Sequence, residues 1–100
     1  MPDDVYTLGV WRVLDGRQDD FVAAWRELGS YFNSLPHPPG VGTLLQSLED
    51  PQQFYSFGPW GSVEDVQEMR ANPETPARIG TLIALCEEGR PGSFRVVATT

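Results

Sequence analysis

No lysine occurs among the 100 residues, and cysteine and histidine occur once each. Each scarcity removes a class of chemistry. Without lysine there is no side chain for a Schiff base and no amine to act as general base. The lone cysteine, Cys86, has no partner for an intrachain disulfide, and nothing in cysteine usage points to secretion. One histidine and one cysteine do not build a metal site of ordinary type, so no metal is expected. The glycine-rich phosphate cradles and the G-x-S-x-G elbow of serine hydrolases are absent. No run approaches the roughly 18 apolar residues of a membrane helix. The start MPDDVY is acidic where a signal peptide is basic. A cytoplasmic protein with no membrane partner is the default expectation. The seven bases, all arginine, are scattered against fourteen acids, for a net charge of −7. With no basic cluster to neutralise phosphates, nucleic acid is not an expected partner.

What is present reads as one domain spanning 1–100, with no evident internal repeat, low-complexity tract or linker. Val5 to Val13 alternates as a strand. Tyr6, Leu8 and Val10 fall on one face, and Val5, Thr7, Trp11 and Val13 on the other. Asp15-Gly16 closes it with turn chemistry. Phe21, Trp25, Leu28, Phe32 and Leu35 recur at spacings of a single stripe, predicting a helix from Gln18 to Leu35 that Pro36-His37-Pro38-Pro39-Gly40 terminates. Val41 to Leu48 and Phe54 to Trp60 predict two strands around a Glu49-Asp50-Pro51-Gln52 turn. Ser62, three residues before Asp65, caps a short helix to Ala71. Asn72-Pro73 interrupts it. A further helical segment is predicted from Glu74 to Glu88, with Ile79, Leu82, Ile83 and Cys86 on its apolar face. Gly89-Arg90-Pro91-Gly92 breaks the chain before a last strand, Ser93 to Thr99.

This order is β-α-β-β-α-β, the α+β ferredoxin-like arrangement. Right-handed crossovers give an antiparallel sheet of order 4-1-3-2 with the helices on one face. The strands are apolar on both sides, so the uncovered face needs a cover, and a homodimer packed sheet against sheet provides one.

Several stretches together resemble a known family: the strand-Gly-helix opening VWRVLDGRQDDFVAAW, Pro39-Gly40 entering the second strand, the turn in LEDPQQFYSF, and Trp60 in WGSVED. The chain resembles the antibiotic biosynthesis monooxygenase-like (ABM) domain of the dimeric α+β barrel proteins over nearly its whole length. The resemblance implies an oxidoreductase that uses O₂ on a small aromatic or quinoid substrate with no cofactor, the substrate lying between sheet and helices. It implies that Trp60 lines the pocket. Ser56 stands where many members carry asparagine, and the helix after Trp60 lacks the histidine of the haem-degrading branch. These departures keep open a non-catalytic, ligand-binding or stress-related module on the same scaffold, or a dimer whose pocket its own aromatics fill.

The candidate site residues are Trp60, Tyr55, Arg78 and His37. Trp60 offers a wall for a flat substrate, or else anchors the strand to the helix. Tyr55, Tyr31 and Tyr6 each offer a hydroxyl to a phenolate or carbonyl oxygen, or else pack in a core or interface and expose only that hydroxyl; alternation forbids Tyr55 to share a face with Ser56. Arg70 and Arg78 flank the helical break, and either offers a fork of donors to an anionic oxygen; the plainer reading is a salt bridge with Glu68 or Glu74. His37 titrates near neutrality but sits in a proline-rich loop, where an exposed and idle ring is common.

Overall fold

Val5, Trp11 and Val13 alternate with Tyr6, Leu8 and Val10, and the first set is buried, so β1 (Val5–Val13) presents one face to a core. The computed structural model describes residues 4–100. Met1, Pro2 and Asp3, which open the acidic MPDDVY segment, lie outside the described residues. After β1 come α1 (Gln18–Asn33), β2 (Thr43–Gln46), β3 (Gln53–Trp60), α2 (Val63–Ala71), α3 (Glu74–Ile83) and β4 (Cys86–Arg95). The strands form one antiparallel sheet of order β2-β3-β1-β4, the expected 4-1-3-2 read from the other edge. This is the α+β ferredoxin-like fold.

Two clusters attach the helices to one sheet face. Trp11, Val13 and Phe54 from the strands pack with Phe21, Leu28 and Tyr31 of α1 and Leu82 of α3. Val5 and Trp60 pack with Val66 and Met69 of α2, and Phe32 and Leu35 touch both clusters. The capping expected at α2 is present: Asp65 N–H donates to Ser62 Oγ at 3.1 Å. The β2–β3 turn is held by Ser47 Oγ, which accepts from the N–H groups of Glu49 and Asp50. Arg12 reaches across from β1 to Asp50 at 2.8 Å. Gly16, at φ 87°, supplies the left-handed residue that ends β1.

The bounds of α1, β2, α3 and β4 differ from expectation. Helix α1 stops at Asn33, before Leu35, where Ser34 N–H and Ser34 Oγ bond to the carbonyl of Tyr31. Strand β2 is shorter than Val41 to Leu48, because Val41 and Gly42 lie outside the ladder and Ser47 belongs to the turn. Helix α3 stops at Ile83 rather than Glu88, and β4 begins at Cys86 rather than Ser93, runs through Gly89-Arg90-Pro91-Gly92 and ends at Arg95 rather than Thr99. The expected break is tolerated because β4 is an edge strand, where proline and glycine cost least. The register shift between Arg12 and Val13, which leaves Glu87 unpaired, marks the bulge that starts the strand. Cys86 packs against the first cluster from this strand, not from a helix. Burial pushes its thiol up to about 11, away from reactive thiolate character. No helix among the described residues is long and apolar enough to cross a membrane.

Candidate functional site

Between the sheet and the helices lies a cavity of about 1070 Å³. Its size suits a multi-ring organic ligand, since ligand pockets typically span roughly 300–1,000 Å³. Trp25 and Phe32 border this space without filling it, and Phe57 turns its side chain to the other face of the sheet. Of the residues at its rim, Arg26 and Ser30 on α1 and Gly80 and Ile83 on α3 are exposed, so it opens to solvent between these helices.

The floor comes from the two central strands. Strand β1 contributes Thr7, Gly9 and Trp11, and β3 contributes Ser56, Gly58 and Trp60. Written out, the segments are Thr7-Leu8-Gly9-Val10-Trp11 and Ser56-Phe57-Gly58-Pro59-Trp60, each a hydroxyl residue, a glycine and a tryptophan at alternate positions. The antiparallel register sets Thr7 opposite Gly58 and Gly9 opposite Ser56, so the two segments are related by a local twofold. Each indole donates to the hydroxyl of the other strand: Trp11 Nε1 to Ser56 Oγ at 2.9 Å, and Trp60 Nε1 to Thr7 Oγ1 at 3.0 Å. Here the sequence does hold a short repeat, contrary to expectation, though it becomes visible only once the strands are paired.

Both glycines sit at close approaches, Gly9 at the tighter one. A Cβ on Gly9 would stand 2.5 Å from the Trp11 ring, and one on Gly58 would stand 3.3 Å from Gly42 Cα. Because each hydroxyl already accepts from an indole, its own proton is available to donate into the cavity. The Trp11 ring thus lies over Gly9 and the backbone of Val41 and Gly42 over Gly58, so the floor is indole surface bordered by two hydroxyls.

Trp60, only 5% exposed, stands in this wall with Phe32 against it edge-on at 5.3 Å. The other candidates lie elsewhere. Tyr55, 45% exposed, faces the opposite side of the sheet. Arg78 lies over the Tyr31 ring at 5.1 Å and pairs with Glu74 at 3.6 Å; neither Arg78 nor His37 borders the cavity. Sequence reasoning passed over Thr7, Trp11 and Ser56 as a set; the shared alternation with Trp60 was the available signal. Tyr31 and Tyr6, the other hydroxyl candidates, do not border the cavity either; the buried Tyr31 hydroxyl meets Thr75 Oγ1 at 2.7 Å, while Thr75 in turn donates to the Met69 carbonyl. This chain of bonds ties α1 to the α2–α3 junction beside the cavity.

Among the described residues, no aspartate, glutamate, histidine, cysteine or tyrosine borders the cavity; its ionisable residues are Arg26 and Arg70. Nor do the described residues place any group of three or more His, Cys, Asp or Glu side chains to hold a metal ion.

His37 Nδ1 donates to Glu68 at 3.1 Å, tying the loop after α1 to α2. That hydrogen bond, with the charges of Glu68 and then Asp65, raises the His37 pKa above 6.5. A group whose pKa is raised on folding adds stability below its unfolded value and loses it as pH climbs through the folded value. Replacing Glu68 by Gln is therefore expected to lower the His37 titration midpoint, read by NMR, and to reduce this ring's share of the pH dependence to what the Asp65 charge sustains. An unchanged midpoint would contradict the pairing.

No family model matches the chain, and no curated protein matches it in sequence. Solved structures do resemble it. SnoaB from Streptomyces nogalater, a cofactor-independent oxygenase solved as a mutant, superposes with TM-score 0.84 at 20% identity, covering 97% of this chain and 96% of that one. A protein from Bordetella bronchiseptica, named as a candidate antibiotic biosynthesis monooxygenase, gives TM-score 0.78 at 17% identity over 96% of this chain and 99% of its own. A conserved protein from Methanosarcina mazei gives TM-score 0.78 at 12% identity, with coverage of 94% and 93%. The chain therefore has the fold shared by proteins named antibiotic biosynthesis monooxygenases.

Proposed function

We propose that the chain is a cofactor-independent monooxygenase that takes a flat aromatic or quinoid compound into the cavity and oxidises it with O₂. The observation that carries this reading is the paired floor, in which the Thr7 and Ser56 hydroxyls border the cavity beside the indoles of Trp60 and Trp11 that bond to them. Indole surfaces suit a planar ring system. Hydroxyl donors aimed at a ring oxygen stabilise it as negative charge develops there.

With no carboxylate or imidazole among the described residues that border the cavity, the substrate supplies its own acidity, as a phenol or enol does. The ionised ring then gives up electrons to O₂. In the net reaction a ring CH₂ becomes C=O, one oxygen atom enters the product, and the other leaves as water with both hydrogens. Trp60 shapes the pocket, and Ser56 fills the place that the resembled family gives to asparagine. Naming of SnoaB as a cofactor-independent oxygenase supports the reaction type.

A second reading, a ligand-binding module without turnover, is favoured by the same lack of an acid or base. The oxygen electrode separates the two. With phenols, hydroquinones and anthrones, the enzyme reading expects O₂ uptake matched by product carbonyl, and Ser56→Ala slowing it on the order of tenfold or more. Ligands that raise the melting temperature without O₂ uptake would establish the binding module instead.

The face of the sheet away from the helices carries Leu45, Tyr55, Phe57 and Phe94, all substantially exposed. We propose that a second copy of the chain covers it, sheet against sheet.

A further inference from the structure

The two charged residues bordering the cavity are both arginines, although acids outnumber bases two to one along the chain. A cleft lined by one sign of charge concentrates ligands of the other. Arg70 is the more defined of the pair. Its Nε and Nη2 both donate to Ser93 Oγ, at 3.1 and 2.6 Å, which pins the guanidinium across the gap between α2 and β4. Glu74, one turn along, is taken by Arg78, while Arg12, Arg17 and Arg90 also hold carboxylates. Among the described residues, no carboxylate lies within ion-pair distance of Arg70, and its Nη1 has no hydrogen-bond partner. Loose surface arginines are common; one fixed by a neutral hydroxyl at the edge of an acid-free cavity, inside an acidic protein, is set to receive an anion.

We infer that the ligand carries a carboxylate on its aromatic body, and that Arg70 binds this group at the α2–β4 end of the cavity. The inference rests on the reading of the cavity as a site for a flat aromatic compound. Arg70 is here a specificity residue: it selects and orients the ligand, while the ring lies over the Thr7–Ser56 floor. Ser93 positions it.

The test is a matched pair of probes, an anthraquinone carboxylate and the corresponding carboxamide, titrated calorimetrically into the full chain at low salt. The wild type is expected to bind the acid on the order of tenfold more tightly than the amide, with the preference shrinking as salt is added. Arg70→Gln should bring the acid to within about twofold of the amide and weaken the amide far less than the acid, because the neutral carbonyl loses a hydrogen bond but no ion pair. Ser93→Ala, a smaller change, should weaken the acid alone. Equal binding of both probes by the wild type, or an acid preference that survives Arg70→Gln, overturns the inference and leaves the cavity reading standing. Binding of neither probe overturns both.

Discussion

Replacing Trp60 by alanine should lower the stability of the chain by about 3–4 kcal/mol and abolish ligand binding in the cavity. The stability loss has three sources that are all visible around the indole. Trp60 is 5% exposed and packs with Val5, Val66 and Met69 in the cluster that holds α2 to the sheet. Its ring meets Phe32 edge-on at 76°, and alanine offers Phe32 no ring to pack against. Its N–H occupies Thr7 Oγ1, which truncation leaves without that donor. For a domain of this length such a loss lowers the melting temperature by roughly 15–30 °C. Denaturant unfolding checks the energy, and calorimetry with an aromatic ligand checks the binding. Trp60→Phe separates packing from hydrogen bonding. It retains most of the ring packing and should cost about 1 kcal/mol, the net value of one hydrogen bond. If Trp60→Ala cost less than Trp60→Phe, the indole would not be the anchor of this cluster.

The contrast between Trp60 and its partner Trp11 indicates what a sequence reveals and what it withholds. Trp60 ends a strand and precedes a capped helix, and both are local signals, so its place beside α2 was legible. That Ser56 shares its face and Tyr55 does not also followed from alternation alone. Trp11 stood in a strand with apolar residues on both faces, and nothing local aimed it at Ser56. The match depends on the antiparallel register that sets Gly9 opposite Ser56, a long-range fact. Helix α1 shows a second limit. Its apolar stripe was read correctly, but the buried members are Phe21, Leu28 and Tyr31, with Trp25 and Phe32 only partly covered. The cavity occupies the space beneath Trp25 and Phe32, and an internal void has no sequence signature. The end of α3 shows a third. Cys86 continues the helical spacing of Ile79, Leu82 and Ile83, yet reaches the same core from β4. Periodicity gives the burial of such a residue without giving its backbone.

Placing a charge on the outer sheet face should separate the proposed dimer. Leu45 stands opposite Tyr55 across β2 and β3, Tyr55 stands opposite Val10, and Tyr6 stands opposite Phe94, so these side chains form one continuous apolar patch. Leu45 and Phe94 are 50% and 55% exposed. The charged residues on this face are already satisfied within the chain: Arg12 holds Asp50 and Glu87, and Arg90 pairs with Glu88. A partner can therefore cover the apolar part without burying an unpaired charge, which is the usual obstacle to such interfaces. Tyr55→Asp reverses this. A twofold interface would bury the new carboxylate from both copies, and each would lack a cation on the facing apolar surface. The dissociation constant is expected to rise by at least about a hundredfold, equivalent to roughly 2.7 kcal/mol. Sedimentation equilibrium measures this directly. The melting temperature supplies an independent reading, because that of a dimer rises with protein concentration and that of a monomer does not. The wild type should show the dependence and Tyr55→Asp should lose it. A wild type that sediments as a monomer at all concentrations would rule out self-association through this face, and its apolar residues would then require a different partner.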